Sequence, residues 1–207
     1  MKRKVIAGIL IAAGLSVMSV PFFWKFTGCR RNQQMVEEFW HIAEEKGNEE
    51  KGEGQEDPQA SISEEHAAKP AQAEVIGLIE IEALDVKYAV LEGTGNRELS
   101  CGIGHIPDTA GIGGEGNCVL AGHRGSRYGT YFKYLNELET GDVVRLTDKK
   151  GVQYFYEAES MEVVGPYENS IKDQGEEKML TLLTCENNGT MRLVVRCRMS
   201  EASLNRP

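Results

Sequence analysis

The run Thr181-Leu182-Leu183-Thr184-Cys185 carries a thiol at the end of an apolar, β-type stretch, and seven residues later Arg192 lies near the start of the next one, Met191-Arg192-Leu193-Val194-Val195. The segment between them, Glu186-Asn187-Asn188-Gly189-Thr190, is polar and turn-forming. That pattern predicts a hairpin with Cys185 and Arg192 side by side. A second apolar stretch, Val119-Leu120-Ala121-Gly122-His123-Arg124, leads into an imidazole. Thiol, imidazole and guanidinium together suit acyl transfer. The thiolate is the attacking species, scarce for an ordinary cysteine at neutral pH, and a neighbouring cation enriches it. An imidazole supplies the proton that a departing amine needs. A guanidinium stays charged, so Arg192 is suited to donating hydrogen bonds to a carbonyl oxygen or to the oxyanion that forms from it.

These residues need a frame. Val75–Ile81, Val86–Leu91, Asn117–Ala121, Val143–Leu146, Gln153–Val164, Lys178–Cys185 and Met191–Met199 read as strands. Gly93-Thr94-Gly95 and Thr140-Gly141-Asp142 read as turns, and Arg97-Glu98-Leu99 as the start of a short helix. Tyr128 to Leu138 reads as another short helix, with Tyr131, Phe132, Leu135 and Leu138 on one side. Residues 101–117 are rich in glycine and turn formers. Many short strands with few helices predict a mainly β domain, a closed or nearly closed antiparallel-rich barrel. It spans residues 74–200, and about 130 residues suffice for one core. Residues 201–207 form a polar tail.

The N-terminal part has a different character. Met1-Lys2-Arg3-Lys4 is basic, and Val5 to Trp24 is an uncharged, mostly apolar run of the length that crosses a bilayer as a helix. Pro21 is tolerated in such a helix. No small-x-small cleavage site follows, so residues 1–24 read as a basic end and an uncleaved transmembrane signal anchor. Lys25, Arg30 and Arg31 flank the other end, so the charge bias by itself orients the span only weakly. Residues 25–73 read as a stalk and an acidic linker. Met35, Val36, Phe39, Trp40 and Ile42 fall on one helical face, a stalk helix or a segment resting on lipid. Gly47 to Ala73 is poor in bulky apolar residues and reads as disordered. Cys29, after Phe26-Thr27-Gly28, reads as a juxtamembrane cysteine rather than a lipidation site, because Lys25 interrupts the apolar run.

Composition excludes several classes. A net charge of −9 without a basic, aromatic-laced stripe argues against nucleic acid. Five cysteines is an odd number, with no disulfide framework. There is no C-x-x-C pair, and a metal site assembled from His105, Cys118, His123 and Cys185 is disfavoured. No cofactor is expected, and no dense carboxylate loop suggests calcium. Cys118 and Cys197 fall inside strands and read as buried, apolar-like side chains. A disulfide among Cys101, Cys118 and Cys197 stays open. Arg124 and Arg196 read as surface or loop charges, and Tyr131 and Phe132 as core.

The pattern as a whole resembles the sortases. The resemblance covers residues 75–199 and rests on Leu91-Glu92-Gly93-Thr94, Gly102-Ile103-Gly104-His105, Gly116-Asn117-Cys118-Val119-Leu120-Ala121-Gly122-His123-Arg124, Phe132-Lys133-Tyr134-Leu135, Gly141-Asp142, Leu180 to Cys185, and Arg192 to Val195. It implies an eight-stranded β-barrel on the outside of a Gram-positive cell, with the N-terminus cytoplasmic. It implies a cysteine transpeptidase that cuts a C-terminal sorting signal of surface proteins, commonly of the Leu-Pro-x-Thr-Gly kind. The acyl group then passes to an amine of a cell-wall precursor or a pilin. By this resemblance Cys185 is the nucleophile, His123 the general acid/base and Arg192 the electrophilic stabiliser, with Thr184 lining the substrate site. His105, the rival imidazole, takes a structural role because His123 lies in the matching motif. No second membrane helix follows the domain, and Asp57-Pro58-Gln59 lacks the aromatic of a pilin-type lid, so the expected subclass is class B-like or class D-like. A surface cysteine protease that only hydrolyses, and a non-catalytic peptide-binding module, are the competing readings.

Overall fold

In seven of the eight strands, alternate residues turn into a common interior, the period-two signature of a sheet with one face on a core. The computed structural model describes residues 32–41, 73–125 and 129–204. The strands are β1 (Val75–Ile81), β2 (Val86–Glu92), β3 (Ile103–His105), β4 (Gly116–Ala121), β5 (Val143–Asp148), β6 (Gln153–Val164), β7 (Lys178–Glu186) and β8 (Met191–Met199). They close into a barrel in the order β1-β2-β3-β4-β7-β8-β6-β5. Ile79, Leu120, Leu146, Tyr156, Leu180 and Leu182 fill it, all fully buried. The helices are α1 (32–41), α2 (Asn96–Cys101) and α3 (Glu201–Leu204). Among the described residues no helix is long and apolar enough to cross a membrane. The apolar run Val5 to Trp24, Cys29 and the linker Gly47 to Asn48 and onward to residue 72 lie outside the described residues.

Two strand pairs are parallel, β2 with β3 and β4 with β7. The second pair matters most for the site. Parallel neighbours run the same way, so whatever follows β4 and whatever ends β7 emerge at the same rim. β3 was not evident in the glycine-rich sequence. Its three residues are buried, and they bridge β2 to β4.

The helix expected over Tyr128 to Leu138 does not form. Residues 131–134 make a turn, followed by a single 3-10 turn at Leu135–Glu137, while Tyr128 lies outside the described residues. The backbone of this stretch is held by other partners. The amides of Thr130 and Tyr131 donate to the Tyr88 hydroxyl at 3.1 and 3.2 Å, and that of Phe132 donates to the His123 carbonyl at 3.0 Å. Tyr131 takes a left-handed φ of 44° in consequence. The apolar side chains that suggested a helix face are buried all the same: Tyr131, Phe132, Leu135 and Leu138 all join the barrel core.

The helical segment of the expected stalk lies against the barrel. Phe39 of α1 is buried with Leu78 of β1 and Ala89 of β2, and Met35, Val36, Trp40 and Val75 pack around them. This explains why β1 reads as nearly continuous hydrophobics: Ile79 and Ile81 face the interior and Leu78 the helix. Asn32 pins the start of α1. Its amide nitrogen donates to the Lys87 carbonyl at 3.0 Å, and its oxygen accepts from the Ala89 amide at 3.2 Å. The register with β3 begins only at Val90, so Asn32 pairs the backbone of β2 just where the strand partner stops. Beyond β8 the tail forms α3, tied to β6 by the Ser203 hydroxyl, which accepts from the Phe155 amide at 2.6 Å.

Candidate active site

The β7–β8 hairpin places Cys185 directly opposite Arg192. Residues opposite each other in an antiparallel ladder share a face of the sheet. Their neighbours Thr184 and Leu193 are buried, at 2% and 3% exposure, so Cys185 and Arg192 point to the outside, where both are half-buried. The connecting turn is tight. Asn187, Asn188 and Gly189 take left-handed φ values of 47°, 55° and 88° in succession, a conformation open to glycine and tolerated by asparagine but costly for most residues. The turn also aims the guanidinium: Arg192 Nη1 donates to the Gly189 carbonyl at 2.8 Å and to that of Met191 at 2.9 Å.

The imidazole arrives from β4. Ala121 is level with Leu183 of β7, and the Gly122 amide donates to the Leu183 carbonyl at 3.0 Å. The Thr184 hydroxyl donates to the Gly122 carbonyl at 2.8 Å, in a buried setting. β7 thus grips both polar groups of Gly122, the residue that precedes His123. Position 122 has no room for a side chain. A Cβ there would meet Ile103 Cδ1 and Phe132 Cδ2, each at 2.7 Å. His123 itself is half-buried, with its ring edge-on to Tyr131 at 6.2 Å and 73°. Tyr131 in turn stacks on Tyr88 at 4.8 Å, and its hydroxyl donates to the Ser100 carbonyl at 2.7 Å. The imidazole therefore sits against an aromatic pair fixed to the barrel.

The other sequence candidates fall elsewhere. His105 is buried. Its Nδ1 lies 3.0 Å from Glu92 Oε2, and its Nε2 lies 3.0 Å from the Ala110 carbonyl and 3.1 Å from Thr109 Oγ1. Both nitrogens are engaged in holding the β3–β4 connection. Cys118 and Cys197 project into the core, where burial pushes each thiol up to about 12. Among the described residues, Cys101, Cys118, Cys185 and Cys197 form no disulfide with one another, and no group of His, Cys, Asp or Glu is arranged to hold a metal ion. Arg196 pairs with Glu162 on the outer surface at 3.1 Å. Thr184, expected to line the substrate site, has its hydroxyl turned to Gly122.

Sequence reasoning missed three features. Arg124, read as a loop charge, forms an ion pair with Glu186, the residue after Cys185. Asn117 is buried and holds the segment between β6 and β7 across β4. Its side chain donates to the Ile171 carbonyl at 2.9 Å and accepts from Thr181 Oγ1 at 2.8 Å, while its own amide donates to Gln174 Oε1 at 2.9 Å. Tyr131 looked like plain core. Only the turn-rich spacing around Asn117 and the Glu after the cysteine offered any signal, and neither is specific.

A family model describing the sortase domain matches residues 79–200. The chain belongs to the sortase family. Sortases are cell-wall transpeptidases with a cysteine nucleophile that act on surface proteins bearing sorting signals. This sortase is 31% identical over 184 residues to Sortase D of Bacillus subtilis (strain 168), covering 88% of its own length and 89% of that protein. Its fold is similar to that of a Clostridium perfringens Sortase D5 transpeptidase, with a TM-score of 0.61 and 25% identity over 83% of this chain and 96% of that one. It is also similar to sortase C-1 from Actinomyces oris, with a TM-score of 0.58 and 30% identity over 66% of this chain and 77% of that one.

Proposed function

We propose that this sortase is a membrane-anchored transpeptidase in which Cys185, His123 and Arg192 carry the chemistry. The observation that carries the reading is the register: Cys185 opposite Arg192 across β7–β8, and His123 two residues beyond the Ala121–Leu183 pair of β4–β7, as Cys185 is two beyond Leu183. The Cys185 thiolate attacks the carbonyl carbon of the scissile bond in a sorting signal of the Leu-Pro-x-Thr-Gly kind. A carbon–sulfur bond forms, and Arg192 donates hydrogen bonds to the resulting oxyanion. The carbon–nitrogen bond then breaks as His123 gives its proton to the departing amine. The thioester left on Cys185 is attacked by a second amine, from a cell-wall precursor or a pilin, which yields its proton to His123. A new amide forms and the thiolate is released. The apolar run of residues 5–24 anchors the enzyme with its N-terminus in the cytoplasm and the barrel outside a Gram-positive cell. Likeness to proteins named Sortase D and Sortase D5 supports a class D-like enzyme over a class B-like one.

The test is ligation. The full chain, or its membranes, is incubated with a set of sorting-signal peptides and an amine, and products are read by mass. Ligated product that disappears in Cys185→Ala supports the reading. Hydrolysis alone, with no amide formed at saturating amine, turns it into a surface cysteine protease, and no turnover with any peptide leaves a binding module.

A further inference from the structure

We propose that Glu186 and Arg124 are positioning residues for the transfer reaction, one carboxylate tying together the three elements that carry the reacting groups. The inference rests on the assignment of Cys185, His123 and Arg192 above. Glu186 follows Cys185 directly, and Arg124 follows His123 directly. Arg124 Nη1 donates to Glu186 Oε2, so the ends of β4 and β7 are bridged one residue past the imidazole and the thiol. The other oxygen, Oε1, accepts from the Asn187 amide at 3.2 Å and caps the turn that opens there. That turn's Gly189 carbonyl accepts from Arg192. Arg124 also donates, through Nη2, to Asn136 Oδ1 at 3.0 Å, which ties in the turn whose Phe132 amide holds the His123 carbonyl.

Each link is modest, but they converge. The backbone grip of β7 on β4 ends at Gly122, and the His123 carbonyl beyond it accepts from the Phe132 amide at 3.0 Å. The ion pair supplies a fixed point where the ladder stops. Its side chains are only 29% and 22% exposed, which shields it from the screening that makes open surface pairs nearly worthless. Misplacement of a catalytic group by about 1 Å can cost about a hundredfold in rate.

The experiment compares Arg124→Ala, Glu186→Ala, Glu186→Gln, the double Arg124→Ala/Glu186→Ala and the swap Arg124→Glu/Glu186→Arg in peptide–amine ligation, with melting temperature and the pH dependence of kcat/KM measured for each. Each single alanine should lower kcat by about ten- to a hundredfold with KM changed by less than about twofold, and should alter the pH profile. The double should lose no more than the worse single, and the swap should regain about tenfold over the singles, since contacting residues couple. Glu186→Gln keeps an acceptor for Asn187 and loses the ion pair, so it should fall with the alanine variants. Four results overturn the proposal: singles within about twofold of wild type, losses that multiply in the double, a swap that regains nothing, or a lower melting temperature with an unchanged pH profile. Ligation that survives Cys185→Ala sinks the underlying assignment as well. A dead Cys185→Ala beside wild-type alanine variants sinks only the staple.

Discussion

Thr184→Val keeps the shape of a buried side chain and removes one hydroxyl. In the native protein that hydroxyl donates to the Gly122 carbonyl at 2.8 Å, and Thr184 is 2% exposed. The variant leaves a carbonyl without its donor in a buried setting, which costs about 1–3 kcal/mol. Unfolding entropy near 2.1 cal/mol/K per residue gives about 0.27 kcal/mol/K for a domain of about 130 residues, so the melting temperature should fall by roughly 4–11 °C. Gly122 precedes His123, so loosening it should also lower kcat/KM for peptide–amine ligation. Thr184→Ser retains the donor and should recover most of both losses. Calorimetry and ligation kinetics on the three proteins make the test. If Thr184→Val melts within about 1 °C of wild type, the hydrogen bond is not holding the strand ends together. If activity falls with no change in melting and serine fails to restore it, the threonine methyl acts on substrate directly, and the account through Gly122 is wrong.

Arg192→Lys keeps a positive charge but loses the planar fork, and kcat should drop about 10²–10³-fold as for other lost oxyanion donors; near-wild-type turnover would remove Arg192 from that role. Phe39→Ala should cost about 3 kcal/mol, the low end for such a truncation because the ring packs on the outside of the barrel, and should speed amide exchange across residues 32–41; unchanged exchange would show that α1 is not held by that ring. Iodoacetamide at pH 8 should label Cys185 in the native protein and leave Cys118 and Cys197 untouched, read by peptide mass; label on either core thiol would mean an open barrel. Those two thiols titrate at 9.0 when exposed and are pushed up to about 12 by burial. The unfolded chain therefore sheds protons first, so stability is full below pH 9 and falls as pH rises towards 12, by up to about 1.4 kcal/mol per pH unit per thiol. A melting temperature that stays flat over that range, or that falls equally in Cys118→Ala/Cys197→Ala, would contradict this.

What the sequence determined by itself was local in origin. Apolar, β-type runs bounded by turn residues marked seven of the eight strands. The Asn-Asn-Gly turn, whose residues can adopt left-handed backbone, set the β7–β8 register and with it the pairing of Cys185 and Arg192. The buried status of Cys118 and Cys197 followed from their place in apolar strands. Tertiary structure decided the rest, because those features depend on partners far away in the chain. The parallel pairing of β4 with β7 joins groups 62 residues apart, and no turn between them encodes it. β3 is three residues long and owes its strand geometry to β2 and β4. The stretch before Leu138 has helical spacing, but the Phe132 amide, the first that a helix from Tyr128 would use, goes to the His123 carbonyl, since a tertiary acceptor in place outweighs a weak local preference. α1 was visible as an amphipathic face, but only the exposed backbone of β2 and the outward Leu78 and Ala89 told it where to bind. Glu186 looked like one charge in a polar turn, and it took the closing of the barrel to bring Arg124 against it.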